Sequence, residues 1–184
     1  MKNSYKMLGI IGVVVALFFL LANHTITLHE NVLKQKSYLS AAYQERADLV
    51  PNLVSTVKAA ADHESDVFTS IATARQGLND AIASGNDESM QKAESELTRN
   101  INIMVEAYPT LTANQNFISL QDQLEGTENR IRVARNYYSD AVNAYNGYIK
   151  RFPGNLISGI MGYDSVKYYE ADISSETAPV VNYD

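Results

Sequence analysis

The sequence contains no cysteine and no tryptophan, and it has only four prolines among 184 residues. Without cysteine the chain cannot form a disulfide framework, a thiolate zinc site, a cysteine nucleophile or an acylated cysteine anchor. Basic residues are also scarce, since 15 lysines and arginines stand against 21 acidic residues and leave a net charge of −6. No basic cluster is dense enough to follow a phosphate backbone, so we expect no nucleic-acid partner.

The most distinctive segment that is present is an uncharged apolar run at residues 7–22. It follows Lys2 and Lys6, which is the arrangement of the basic and hydrophobic regions of an export signal. A signal-peptidase cut after Ala22 would place Leu20 at the −3 position, where a small residue is needed. We therefore predict a retained signal-anchor over residues 1–28, with a removed signal peptide as the alternative.

The length of this run fits a membrane span. As a helix, residues 7–22 cover about 24 Å and an extension to Leu28 gives about 33 Å, against a hydrocarbon thickness of about 30 Å. The positive-inside rule places Lys2 and Lys6 in the cytoplasm, so we expect a single-pass protein of the cell (inner) membrane with its bulk on the non-cytoplasmic side. The predicted membrane residues are Met7, Leu8, Ile10, Ile11, Val13, Val14, Val15, Leu17, Phe18, Phe19, Leu20, Leu21 and Ala22.

A long helix is expected to continue from this anchor. No glycine occurs between Val13 and Gln76, and Pro51 is the only proline there. A proline at this position removes the hydrogen bond to the Ala47 carbonyl and costs about 3 kcal/mol inside a helix. The helix either kinks at Pro51 or ends before it, with a new helix starting there. Because Val50 would be a poor N-cap for a new helix, we favour the kink.

Two further long helices follow from apolar residues spaced by three and four. The first lies between the turn Ser84-Gly85-Asn86-Asp87, where Asn86 or Asp87 can act as N-cap, and Pro109. The second is expected to start at a capping box formed by Thr112 and Gln115 and to end at Pro153. Its buried face is predicted to contain Phe117, Leu120, Leu124, Thr127, Ile131, Ala134, Tyr138, Ala141, Tyr145, Tyr148 and Phe152.

These patterns predict an all-α fold. No run alternates with period two over more than a few residues, so a sheet is disfavoured. We expect the N-terminal transmembrane helix to continue into an antiparallel bundle of three long helices plus a short C-terminal helix. The bundle domain is predicted over residues 29–162, with the short helix around Asn155–Met161, and an acidic, tyrosine-containing tail over residues 163–184.

Two polar blocks, residues 46–64 and 106–135, are the candidates for chemistry. His63-Glu64 would begin a zinc-binding motif, but Val67 occupies the position of the second histidine. In the second block, Glu128 with Arg132 and Asp122 with Arg130 have the spacings of ordinary surface pairs. We therefore predict no catalytic residue, no metal, no cofactor and no enzymatic activity. The polar side chains expected to hydrogen-bond across helices are Arg46, Asp48, Asn52, His63 and Glu64.

Short motifs occur in order along most of the chain. They are Arg46-Ala47-Asp48-Leu49-Val50-Pro51-Asn52-Leu53-Val54, Thr56-Val57-Lys58, His63-Glu64, Ala74-Arg75, Glu106-Ala107-Tyr108-Pro109, Ala113-Asn114, Asn116-Phe117, Leu120-Gln121, Thr127-Glu128-Asn129-Arg130-Ile131, Ala134-Arg135, Tyr145-Asn146, Phe152-Pro153 and Asn155-Leu156. In this order and spacing they resemble the LemA family. The resemblance implies one N-terminal membrane helix, a soluble antiparallel helical bundle and no established activity. The resemblance does not settle the topology, since the amino terminus of the family has been predicted outside the cytoplasm, opposite to the orientation that the charges favour.

An apolar, tyrosine-rich segment after Pro153 is a candidate contact surface. Two placements are open for it, over the end of its own bundle or on a neighbouring subunit. The leading hypothesis is a membrane-anchored helical scaffold that contacts lipid through its N-terminal helix and self-associates into a homo-oligomer. The alternative is an adaptor or sensor subunit that binds another membrane protein. The candidate oligomer contacts are Ile157, Ile160, Met161, Tyr163, Val166, Tyr168 and Tyr169.

The orientation that the charges favour is directly testable. We consider cells whose cell membrane is intact and whose outer layers have been removed. Added protease should digest the end at Asp184, because that end is expected on the non-cytoplasmic side. Immunoblotting with a tag at Asp184 would follow the digestion. Protection of the tag until the membrane is opened by detergent would reverse the predicted orientation.

Overall fold

The computed structural model describes residues 2–60, 66–109 and 114–169, and within these ranges the chain is helical nearly throughout and contains no strand. The helices are α1 (Lys2–Ala60), α2 (Asp66–Ser84), α3 (Asp87–Ala107), α4 (Gln115–Ile149) and α5 (Gly154–Met161). The predicted all-α fold is confirmed. The described residues form four longer helices rather than three, because the segment expected to run unbroken to Ser84 is divided between α1 and α2.

Helix α1 passes through Pro51 without ending. This continuity excludes a new helix beginning at Pro51. The Ala47 carbonyl, which loses its usual backbone donor to the proline, accepts a hydrogen bond from Arg75 Nε of α2 at 2.8 Å. The guanidinium of Arg75 also lies 4.0 Å from Asp48 Oδ1. The backbone defect at Pro51 is therefore compensated by a side chain from the neighbouring helix.

The helices divide into two compact units, and the first contains residues 1–39 and 134–168. Within it α1 and α4 are antiparallel, since Tyr148 contacts His24 whereas Tyr145 contacts the later residue His29. The short helix α5 packs against the end of α4, where Gly154 lies close to Tyr148. A Cβ at Gly154 would clash with the Tyr148 carbonyl oxygen, so only glycine fits at this position.

The second unit contains residues 40–133 among the described part of the chain. In it α2 and α3 form a hairpin whose connection is Gly85, with φ of +65°, and Asn86. Asn86 is the N-cap of α3 and its side chain accepts from the Ser89 N–H at 2.9 Å. Both turn residues were expected from the sequence, since glycine tolerates positive φ and asparagine is a favoured N-cap.

Two helix ends differ from expectation. Asn114 Oδ1 accepts from the N–H groups of Asn116 and Phe117 at 2.9 and 3.4 Å, so Asn114 caps α4, which begins at Gln115. The predicted capping residue Thr112 lies outside the described residues. At the other end α4 stops at Ile149, and Phe152, which was expected to be buried, is 83% exposed. Most of the predicted seam before it is buried, from Phe117 to Tyr145.

We expect Pro51→Ala to fold and to raise the free energy of unfolding by up to about 3 kcal/mol, since the new N–H can donate to the Ala47 carbonyl. Arg75→Ala should then lower the free energy of unfolding less in the Pro51→Ala background than in the wild type, because the Ala47 carbonyl there has a backbone donor. Thermal unfolding of the four proteins in detergent, followed by circular dichroism, measures this coupling.

Arg132→Ala is the matched control, because the Arg132 guanidinium bonds to Asn129 of its own helix at 2.6 Å. Its effect should be equal in both backgrounds. An equal cost of Arg75→Ala in both backgrounds, or unfolding of Pro51→Ala, would contradict the compensation at Ala47.

Candidate membrane and interaction surfaces

The amino-terminal part of α1 is an apolar helix with no protein cover. Every residue from Tyr5 to Leu17 is exposed. Of the predicted membrane residues, only Phe18 and Leu21 are half-buried and Ala22 is buried. Helix α1 is long and apolar enough to cross a membrane. So large a continuous apolar surface is not found facing water on ordinary soluble proteins.

From Ala22 onward α1 changes character. Only one side of the helix is buried, and the buried residues recur at the three-four spacing of a packed helix face. They are Ala22, Thr25, Val32, Leu39, Ala42, Tyr43, Arg46, Ala47, Val50, Leu53 and Val57. One uninterrupted helix therefore combines a uniformly apolar segment with a segment that has one packed side and one polar side.

Aromatic side chains of α1 and α4 meet where this change occurs in the first unit. The rings of His24 and Tyr148 lie edge to face with centroids 4.7 Å apart. The Tyr148 hydroxyl donates to the Leu21 carbonyl oxygen at 3.4 Å, and the Thr25 hydroxyl donates to the same oxygen at 3.0 Å. The hydroxyls of Tyr148 and Thr25 are thus satisfied within the protein.

The residues after α5 pack back onto α4 through two side chains. Asn146 donates from Nδ2 to the Val166 carbonyl at 2.8 Å and accepts from the Val166 N–H at 3.0 Å. The Tyr145 hydroxyl donates to the Asp164 carbonyl at 2.9 Å. Burial, with further contributions from Tyr163 and Asp164, raises the pKa of Tyr145. The backbone at Asp164 and Val166 is therefore held against α4 of the same chain.

This attachment affects the predicted oligomer contacts. Ile157 is buried, Met161, Tyr163, Val166 and Tyr169 are half-buried, and Ile160 and Tyr168 are exposed by 64% and 48%. The hydrogen bonds between Asn146 and Val166 were not predicted from the sequence. The only available signal was a buried position in the α4 seam occupied by an amide, which requires a partner.

A buried ion pair joins α1 and α3 in the second unit. Arg46 Nη1 lies 3.1 Å from Glu94 Oε1, and the two residues are only 3% and 4% exposed. The Thr98 hydroxyl donates to the same Glu94 oxygen at 2.9 Å. The prediction that Arg46 bonds across helices is confirmed, although sequence analysis did not identify Glu94. Asp48 accepts from Gln44 of its own helix and faces Arg75 of α2.

The second polar block is arranged differently from the predicted surface pairs. Arg130 forms a two-point bond with Glu45 of α1, Nε to Oε2 at 2.9 Å and Nη2 to Oε1 at 2.7 Å, instead of facing Asp122. Arg132 donates to Asn129 rather than to Glu128. Both corrections arise because an arginine selects the best-placed acceptor in space and not the nearest carboxylate along the helix.

These polar contacts join helices and do not form an acid-base site. The buried carboxylate of Glu94 and the exposed carboxylate of Glu45 each face an arginine of another helix. No group of three or more histidine, aspartate or glutamate side chains that could hold a metal ion occurs in the part of the chain that the structure describes. His63 and Glu64 lie outside the described residues.

An open cavity of about 670 Å³ adjoins the end of α1 and the side of α2. Its walls combine apolar and polar side chains. The lining includes Val54, Lys58, Phe68, Thr73 and Asp80. Lys58 Nζ lies 5.2 Å from the centroid of the Phe68 ring, a distance at which a cation is attracted to an aromatic face.

The described structure is that of an all-helical protein with a membrane-length apolar helix at its amino terminus. The LemA family matches residues 35–183, and the chain belongs to this family. The match begins after the apolar part of α1, so the membrane-length helix is inferred from the residues of this chain alone.

Two curated relatives are the magnetosome proteins MamQ 1 and MamQ 2 of Paramagnetospirillum magneticum (strain ATCC 700264 / AMB-1). Each is 28% identical to this chain over 78 residues, which is 42% of the chain and 28% of the relative. The chain therefore matches less than a third of the length of either relative.

Removal of one partner of the buried ion pair should be far more damaging than removal of both. We expect Glu94→Ala to cost about 3–5 kcal/mol of unfolding free energy, because it leaves the Arg46 guanidinium buried without its countercharge. The double variant Arg46→Met with Glu94→Leu should have a free energy of unfolding close to that of the wild type. Denaturant titrations of the purified chain in detergent measure both, and equal losses in the single and double variants would contradict this account.

Proposed function

We propose that this LemA family member is a membrane-anchored helical scaffold protein that self-associates into a homo-oligomer and catalyses no reaction. The observation that carries the proposal is the change of surface along α1. Residues 5–17 expose apolar side chains on all sides, and from Ala22 the same helix has one packed face. A helix of this kind suits a protein that crosses the cell (inner) membrane once and presents a helical domain on the non-cytoplasmic side.

The contacts between helices support an antiparallel bundle as that domain. In the first unit Leu21 and His24 face Tyr148 while His29 faces Tyr145, so chain direction is opposite in α1 and α4. In the second unit α1 is bonded to α3 through Arg46 and to α4 through Glu45. Arginine-carboxylate bonds of this kind determine which helices are neighbours. Their role is therefore structural.

Tyr168 is the predicted contact residue best placed for self-association. Its ring is 48% exposed, although the backbone nearby is held to α4 by Asn146. Lys150 Nζ lies 6.0 Å from the centroid of this ring. A fixed backbone with an exposed tyrosine is typical of contact sites, because little conformational entropy is lost on binding.

The test is the mass of the full-length protein in mild detergent, measured by light scattering after size exclusion. We expect a protein mass of several protomers per particle, lowered by Tyr168→Ser and unchanged by Tyr137→Ser. Tyr137 is the matched control because it is a 61% exposed tyrosine on α4. One protomer per micelle would overturn self-association. A foreign membrane protein co-purified in stoichiometric amount would instead favour the adaptor or sensor function.

A further inference from the structure

A row of exposed apolar side chains follows the end of α4. Phe152, Leu156 and Ile160 are exposed by 83%, 58% and 64%, and their spacing of four places them along one side of the turn and of α5. The other side of α5 is buried at Ile157 and Ser158. We call the exposed side the α5 row. Three large apolar side chains exposed within nine residues, two of them on the eight-residue helix α5, are unusual on a surface that faces water.

The α5 row lies beside the part of α1 where the protein cover begins. Gly154, the first residue of α5, is in contact with the backbone of Tyr148. Tyr148 in turn contacts Leu21 through its hydroxyl and His24 through its ring. All of these residues belong to the first unit. The row is therefore fixed next to the last residues of the apolar segment of α1.

The length of α1 determines which solvent surrounds this level. The uncovered residues from Met7 to Leu17 span about 17 Å, whereas the hydrocarbon layer is about 30 Å thick. The remaining 13 Å or so reach Ile26. The level of Leu21 to His24, where Tyr148 and α5 are attached, then falls about 3–8 Å inside the hydrocarbon boundary, which is the depth at which interfacial helices rest.

Polar groups around this level are arranged as a lipid boundary requires. The hydroxyls of Tyr148 and Thr25 both donate to the Leu21 carbonyl, so neither depends on water. Lys150 and Arg151, just before the row, are exposed. The long side chain of Arg151 can extend toward anionic headgroups while Phe152 lies among the acyl chains.

We propose that the α5 row is a second membrane contact, with Phe152, Leu156 and Ile160 inserted at the boundary between headgroups and acyl chains. This inference rests on the proposed membrane span of α1. The occupant is the bilayer and not a second copy, because α5 is attached through Gly154 and Tyr148 at the level of Leu21 and His24 and the row is preceded by two cationic side chains. Of the candidate oligomer contacts, it reassigns Ile160 to lipid.

The absence of cysteine makes the test direct. Single-cysteine variants of the full chain, Leu156→Cys and Ile160→Cys, are labelled with a nitroxide and reconstituted in vesicles of phosphatidylethanolamine and phosphatidylglycerol. Electron paramagnetic resonance compares collisions with oxygen, which concentrates in lipid, and with a water-soluble nickel chelate. We expect the oxygen-to-nickel ratio at both positions to be several-fold higher than at Tyr137→Cys, which lies about 17 Å back along α4 from Tyr148.

Val14→Cys separates the failure of this proposal from failure of the anchor. A high ratio at Val14 with a water-like ratio at Leu156 and Ile160 overturns the second membrane contact and leaves the anchor intact. A water-like ratio at Val14 overturns the anchor, and the α5 proposal with it. Protection from both reagents together with spin-spin broadening at Ile160 would identify a second copy as the occupant and also overturn the proposal. Circular dichroism of each variant verifies that the helices are retained.

Discussion

The structure depends on one constraint, which is that α1 must satisfy two environments without a break in its backbone hydrogen bonds. Residues 5–17 expose apolar side chains on every side, and the residues from Ala22 bury only one face. A continuous helix meets both demands because its N–H and C=O groups are paired within the segment itself. The other helices then pack on the side of α1 that is buried from Ala22 onward.

The exception to this self-sufficiency is at Pro51, and it explains why Arg75 is needed on α2. The proline deprives the Ala47 carbonyl of its donor, and the guanidinium of Arg75 replaces it at 2.8 Å. A few residues earlier, Arg46 is buried against Glu94 of α3. Buried ion pairs contribute little net stability, but an unmatched charge is costly, so such a pair discriminates against wrong helix neighbours. Two arginines thereby determine how α2 and α3 attach to α1.

Local periodicity predicted a large part of this fold. The α4 seam from Phe117 to Tyr145 is largely buried, and Gly85 and Asn86 form the expected turn. What the sequence could not supply was the identity of partners distant along the chain, such as Glu45 for Arg130 or Val166 for Asn146. Periodicity reports only that a residue is covered. Phe152 shows the converse case, since its spacing is that of the seam but α4 has already ended at Ile149.

The two hydrogen bonds between Asn146 and Val166 determine how this part of the protein responds to salt. They join the uncharged side-chain amide of Asn146 to the backbone N–H and C=O of Val166. Neither partner titrates, and neither carries a charge that dissolved ions could screen. Changes of salt that loosen the exposed Arg130–Glu45 bond therefore leave residues 163–169 attached to α4. A surface that includes these residues keeps its shape in dilute and concentrated media alike.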